Sequence, residues 1–135
     1  MEFVGISYLA VLFAAAAGFG FGAVYYITLG SRWMRALGKT KEEIVAARSP
    51  VPFIIAIVAQ LLIGYMLAGV IGHLGAVNIR NGVISGLFLW VGFVITTMAV
   101  NYSFQGAKPM LTLIDGIHWL GVLVLQGLII GWIGL

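Results

Sequence analysis

The chain has 135 residues, 62% of them hydrophobic and 8% charged, with a formal net charge of +3. Soluble domains run at roughly 45–50% apolar and about 25% charged, so water is excluded as the solvent for most of this surface and lipid takes its place. With no cysteine in the sequence, disulfides, thiolate metal sites, iron–sulfur clusters and thiol chemistry are excluded together.

A helix crossing about 30 Å of hydrocarbon needs about 20 mostly apolar residues, so charge-free stretches locate the spans. Phe3 to Ser31 carries no charge and predicts a first span over about residues 4–28. It is long for a signal peptide and lacks a basic flank, which predicts a retained span and not a cleaved leader. A polar connection follows, with Arg32, Arg35, Lys39, Lys41, Glu42, Glu43 and Arg48. Inside it, Thr40 with Glu43 three residues later reads as a capping box, which predicts a short interfacial helix over Lys41 to Ala47. Ser49 to Gly72 predicts a second span over about 52–72, entered through Pro50 and Pro52. His73 to Arg80 reads as a turn. Asn81 to Ala107 predicts a third span over about 82–102, and Pro109 to Leu135 a fourth over about 110–134, the latter carrying Asp115 and His118. The fold class expected is all-α, a single domain over residues 1–135 built as a bundle of four transmembrane helices.

Five of the seven basic residues fall in the first connection, with Arg80 alone in the second and Lys108 alone in the third. Basic residues in short loops stay on the cytoplasmic side. The first and third loops are therefore expected inside and both termini outside, in a bacterial inner membrane. The charge thus reads as a topology signal with an added attraction to anionic lipid headgroups. No nucleic-acid partner is expected, because no basic surface interleaved with aromatics exists.

Lipid gives helices no hydrophobic reason to associate, so small residues that let backbones approach do much of that work. Gly18 with Gly22, Gly82 with Gly86, and Gly127 with Gly131 have the four-residue spacing and are the expected helix-packing positions. On the fourth span Asp115, His118, Val122 and Gln126 share about 80° of arc, while Gly116, Gly127, Gly131 and Gly134 lie roughly 140° away. A polar face cannot look at lipid cheaply, so it is expected to face the bundle interior, a cavity or another subunit. Gln60 falls near mid-membrane on the second span. Membrane lipids and a second copy of the chain are the expected partners.

Depth gathers further residues. Tyr25 and Tyr26 end span one at the inner face, Asn101 ends span three there, and Asp115 sits about 8–9 Å into span four. Arg32 and Lys108 belong to the adjoining loops. Tyr25, Tyr26, Arg32, Asn101, Lys108, Asp115 and His118, with Gln126 further along, are thus the candidate polar site. Two readings stand: a proton-handling or anion-binding pocket in which Asp115 titrates, or a structural pairing of Asp115 with a loop cation near its helix N-terminus. No metal or cofactor is expected. His73 and His118 are separated by about 20 Å of helix rise, and Asp115 with His118 gives fewer ligands than a dedicated site uses. No catalytic residue is legible, because no serine shows a base and orienter arrangement.

Gly22-Ala-Val-Tyr25-Tyr26 followed by Gly30-Ser-Arg32-Trp33-Met-Arg-Ala-Leu-Gly38 resembles the opening of the bacterial domain-of-unknown-function 1761 family. Trp90-Val-Gly92-Phe93 resembles its third-span motif, and Asn101-Tyr-Ser-Phe104-Gln-Gly106-Ala-Lys108-Pro with Leu113-Ile-Asp115-Gly116 its closing motif. The family tends to show Trp-Tyr where this chain has Tyr25-Tyr26. The resemblance implies a small four-span integral membrane protein and no particular activity. Three functions are open from the sequence: a self-associating membrane protein with a polar site on the cytoplasmic side; a small proton-coupled transporter or channel using Asp115; and a membrane enzyme acting on a lipid-like molecule near Trp90 or Trp119.

Overall fold

In lipid every backbone polar group has to be satisfied within the chain, and helices do this locally. The structure, a computed structural model describing residues 3 and 5–134, is helical throughout, with no strand among the described residues. Helix α1 (Tyr8–Thr28) starts where the Ser7 hydroxyl accepts the Ala10 N–H at 3.2 Å. That cap sets its first residue at 8; Val4, where the span was expected to begin, lies outside the described residues.

The first connection holds two helices where one was expected. Helix α2 (Gly30–Leu37) follows a bend at Leu29 and ends at Gly38, whose φ of 76° is the left-handed value that favours glycine. Trp33, Ala36 and Leu37 recur at helical spacing on it and pack on Leu111 and Ile114. Helix α3 (Lys41–Ala46) falls where a short helix was expected. Thr40 Oγ1 accepts the Glu43 N–H, and the Glu43 carboxylate accepts the Thr40 N–H.

Helix α4 (Val51–His73) has proline in its first turn, where a missing N–H costs nothing. The third span runs from Ile79 to Phe104 in three parts: α5 (Ile79–Leu89), a π-helical turn (Trp90–Val94) and α6 (Ile95–Phe104). It begins before residue 82 because Asn78 caps the Asn81 N–H at 2.9 Å. The π turn was not expected. Widening a helix in this way displaces carbonyls from their partners, and threonine hydroxyls accompany it here. Thr96 donates to the Gly92 carbonyl at 2.9 Å, and Thr97 to those of Phe93 and Val94 at 2.6 and 3.0 Å. Helix α7 (Pro109–Ile133) closes the chain, entered through a turn at Gly106. Four helical segments are thus long and apolar enough to cross a membrane.

Helix α7 is the axis of the bundle and packs against α1, α4, α5 and α6. Burial is inverted relative to a soluble protein. Leu9, Leu12, Phe13, Ile54, Ile55 and Phe88 face outward, while Gln60, Ser85, His118 and Gln126 are buried. The end carrying α2, α3 and Lys108 is called the basic end below. Toward the other end lies an apolar cluster of Ile6, Val11, Ala14, Leu67, Ala68, Ile71 and Ile130.

The glycine pairs close interfaces inside this one chain. A Cβ on Gly82 would strike the Gly127 carbonyl and one on Gly127 the Gly82 carbonyl, while Gly86 faces the Leu123 carbonyl and Gly131 that of Asn78. These contacts bring α5 and α7 to backbone distance, as small residues allow in membranes. Gly18 gives room to the Gln60 and Gln126 amides, and Gly22 to the His118 imidazole. All six positions thus face neighbours within the protomer.

Candidate functional site

Three consecutive residues of α7 receive four donors from two other spans. Tyr25 donates its hydroxyl to the Ile114 carbonyl at 2.6 Å. Tyr26 donates to Asp115 Oδ1 at 2.6 Å, and Tyr102 donates to Asp115 Oδ2 at 2.8 Å. Trp90, at the head of the π turn, donates its indole N–H to the Gly116 carbonyl at 2.8 Å. Each carboxylate oxygen therefore holds a phenol from a different span, α1 on one side and α6 on the other. Hydrogen bonds to a charged acceptor are about twice as strong as neutral ones, so the Asp115 side chain joins spans one, three and four at the basic end.

His118 sits one turn deeper on the same helix and is 7% exposed. Aromatic rings enclose it. The Tyr26 and Trp119 rings lie 4.9 and 4.7 Å away, Tyr25 5.7 Å and Phe21 6.2 Å, measured between centroids. Its Nδ1 is buried without a hydrogen-bond partner. The carboxylate and imidazole do not bond each other; the Tyr26 side chain touches both.

Of the other candidate residues, Arg32 and Asn101 are exposed, and neither is among the groups that hold the carboxylate. Lys108 donates its ammonium to the Arg35 carbonyl at 3.3 Å, which ties the third loop to the first. Among the described residues Asp115 forms no ion pair, so the partner expected from the loop cations is replaced by two phenols. Gln126 belongs elsewhere. It lies 11 residues beyond Asp115, about 16 Å along the axis, and donates its amide to Gln60 Oε1 at 2.6 Å and to the Gln60 carbonyl at 3.3 Å. Gln126 Oε1 remains buried and unpartnered.

Tyr102 and Trp90 were missed as donors. Tyr102 adjoins the chosen Asn101, and adjacent helical positions differ by 100°, so only one of them can face Asp115. The π turn shifts that phase within span three, and no local signal fixes it. For a metal, Asp115 and His118 are the nearby ligand types; no group of three or more His, Cys, Asp or Glu occurs among the described residues.

Four apolar membrane-length helices around buried amides and a tyrosine-held carboxylate define a multi-pass integral membrane protein. The chain belongs to the DUF1761 family, proteins of unknown function, whose family model matches residues 9–131. No curated protein and no solved structure matches it.

Proposed function

We propose that this is a non-enzymatic membrane protein whose working part is the Asp115 site, placed at the cytosolic end of the bundle, where one carboxylate ties three spans together. The observation that carries the reading is the pair of phenols on one carboxylate, Tyr26 from α1 and Tyr102 from α6. A carboxylate accepts both phenols, so this one side chain holds α6 and α1 to α7. The cytosolic placement follows from the basic first and third loops. The six paired glycines are occupied within the protomer, so this reading does not depend on self-association through them.

The test uses the absence of native cysteine. A single Ala107→Cys reporter lies in the apolar cluster beneath α2. Its labelling rate in nanodiscs is expected to rise when Asp115→Asn, or Tyr26→Phe together with Tyr102→Phe, loosens the tie. Rates equal to the parent's in both variants contradict the proposal.

A second reading, a small proton-coupled carrier, is favoured by the buried unpartnered atoms of His118 and Gln126 on the Asp115 face of α7. It requires a proton flux in liposomes that Asp115→Asn abolishes. A parent protein without flux removes it.

A further inference from the structure

The two halves of span three are held to the bundle differently. Gly82 and Gly86 bring α5 to backbone distance of α7, and Gly82, Ser85 and Gly86 are buried there. Helix α6 has no buried residue. Among the described residues, its one side-chain hydrogen bond to another helix is that of Tyr102 to Asp115 Oδ2 at 2.8 Å. Beside it runs a groove of about 490 Å3, with Ile95, Ala99 and Ser103 on one wall and Thr112 and Leu113 of α7 on the other. A helix closely packed on every side cannot shift without straining its neighbours. On the groove side α6 has room.

The π turn (Trp90–Val94) lies at the junction of the two halves. A carbonyl released from its ladder in lipid needs another donor, and threonine hydroxyls supply one. Here Thr96 donates to Gly92, and Thr97 to Phe93 and Val94. A rotatable hydroxyl follows its carbonyl through a small change of bend, so flexing strands no polar group. Gly92 sits in the middle of the turn, and a Cβ there would meet nothing within 4 Å. Packing does not require a glycine at that position; what it contributes is backbone freedom. Ahead of it the turn is pinned, since Trp90 donates its indole N–H to the Gly116 carbonyl at 2.8 Å. Beyond α6 the chain returns to α7 through the four residues 105–108, whose extended reach of about 13 Å leaves slack for a shift of several ångströms.

We propose that α6 is a hinged gate over Asp115: it pivots at the π turn, the Tyr102 hydroxyl is its latch, and release uncovers Asp115 Oδ2 on the α6 side. The inference rests on the reading that Asp115 ties the spans, and adds which span yields and where it bends. A change of bend of about 20° moves the far end of the ten-residue α6, about 15 Å long, by about 5 Å.

Pairs of spin labels test it in the otherwise cysteine-free chain. Phe53→Cys on α4 with Phe104→Cys on α6 reports the gate, and Leu62→Cys on α4 with Phe88→Cys on α5 reports the other half of the span; all four positions are exposed. Pulsed dipolar distance measurements in nanodiscs are expected to show, on adding Tyr102→Phe, a new population shifted by about 5 Å in the gate pair and none in the other. Tyr26→Phe, which frees α1 instead, is expected to leave the gate pair as in the parent. In the Tyr102→Phe background, Gly92→Ala is expected to reduce the new population about two- to fivefold, the effect of replacing one helical glycine. Deletion of Val91, which takes one residue out of the widened turn, is expected to remove it. A gate pair unmoved by Tyr102→Phe overturns the proposal. So does a shift of both pairs, which marks general loosening, or a shift that neither Gly92→Ala nor the deletion changes, which puts the hinge elsewhere. Faster labelling of Ala107→Cys in Asp115→Asn with an unmoved gate pair refutes the gate alone; labelling equal to the parent's refutes the tie as well.

Discussion

Tyr26 donates its hydroxyl to Asp115 Oδ1 across 2.6 Å, joining residues 89 apart in sequence and two helices that cross the membrane separately. Tyr102 occupies the other oxygen at 2.8 Å. With both in place the carboxylate needs no cation, although basic residues line the adjoining loops. Removing one phenol, as Tyr26→Phe or Tyr102→Phe, is expected to lower stability by about 1–2 kcal/mol, between values for charged hydrogen bonds in water and for polar pairs in membranes. Removing both is expected to cost more than the sum, because the carboxylate then loses every donor the two spans supply. Thermal unfolding of the three variants in one detergent checks this. Single-variant changes below about 0.3 kcal/mol would show that water replaces the phenols without loss.

The packing glycines separate cleanly from the others. Gly82→Ala forces a methyl group into the Gly127 carbonyl, and neither backbone can move without parting α5 from α7. A loss of about 1–3 kcal/mol is expected, the range for overpacked interiors. Gly20 has open space around it. Gly20→Ala is expected to be neutral or to gain about 0.5–1 kcal/mol, since alanine is the better helix former. Melting temperatures of the two variants decide. An equal effect at both positions would mean that glycine acts here through helix propensity alone.

How much of this was legible in the sequence depended on the range of the signal. Charge-free length located the four long apolar helices to within a few residues, because a run long enough to cross hydrocarbon leaves few alternatives. The Thr40 and Glu43 box was legible for the same reason that it forms: the pairing is local. Helix α2 could have been found from Trp33, Ala36 and Leu37 followed by Gly38. The π turn could not, and it decides that Tyr102, instead of Asn101, meets Asp115. Depth placed Asp115, Tyr25 and Tyr26 together correctly. Depth alone does not say which side of a helix faces which neighbour, and so Arg32, Lys108 and Gln126 were grouped with residues they do not touch.

Gln60, near the middle of α4, and Gln126 form a buried amide pair, with Gly18 and Gly64 giving it room. Gln126→Leu strands the Gln60 amide and is expected to cost about 1–3 kcal/mol. The double variant Gln60→Leu with Gln126→Leu is expected to recover part of that loss, since no polar group then remains unsatisfied. A double-mutant cycle by thermal unfolding measures the coupling. A double variant as destabilised as the sum of the two single changes would show that the amides act independently.

The whole account rests on spans one, three and four meeting at Asp115 beside the cytosol. Single cysteines at Lys39, Gln105 and Ala76, all exposed loop or turn positions, report this directly when labelled with a membrane-impermeant reagent. Lys39→Cys and Gln105→Cys are predicted to react from the cytosolic side alone, and Ala76→Cys from the opposite side alone. Reaction of Gln105→Cys and Ala76→Cys from the same side would mean that span three does not cross the bilayer. Reaction of Lys39→Cys from the non-cytosolic side would turn the Asp115 site outward; either result contradicts the account.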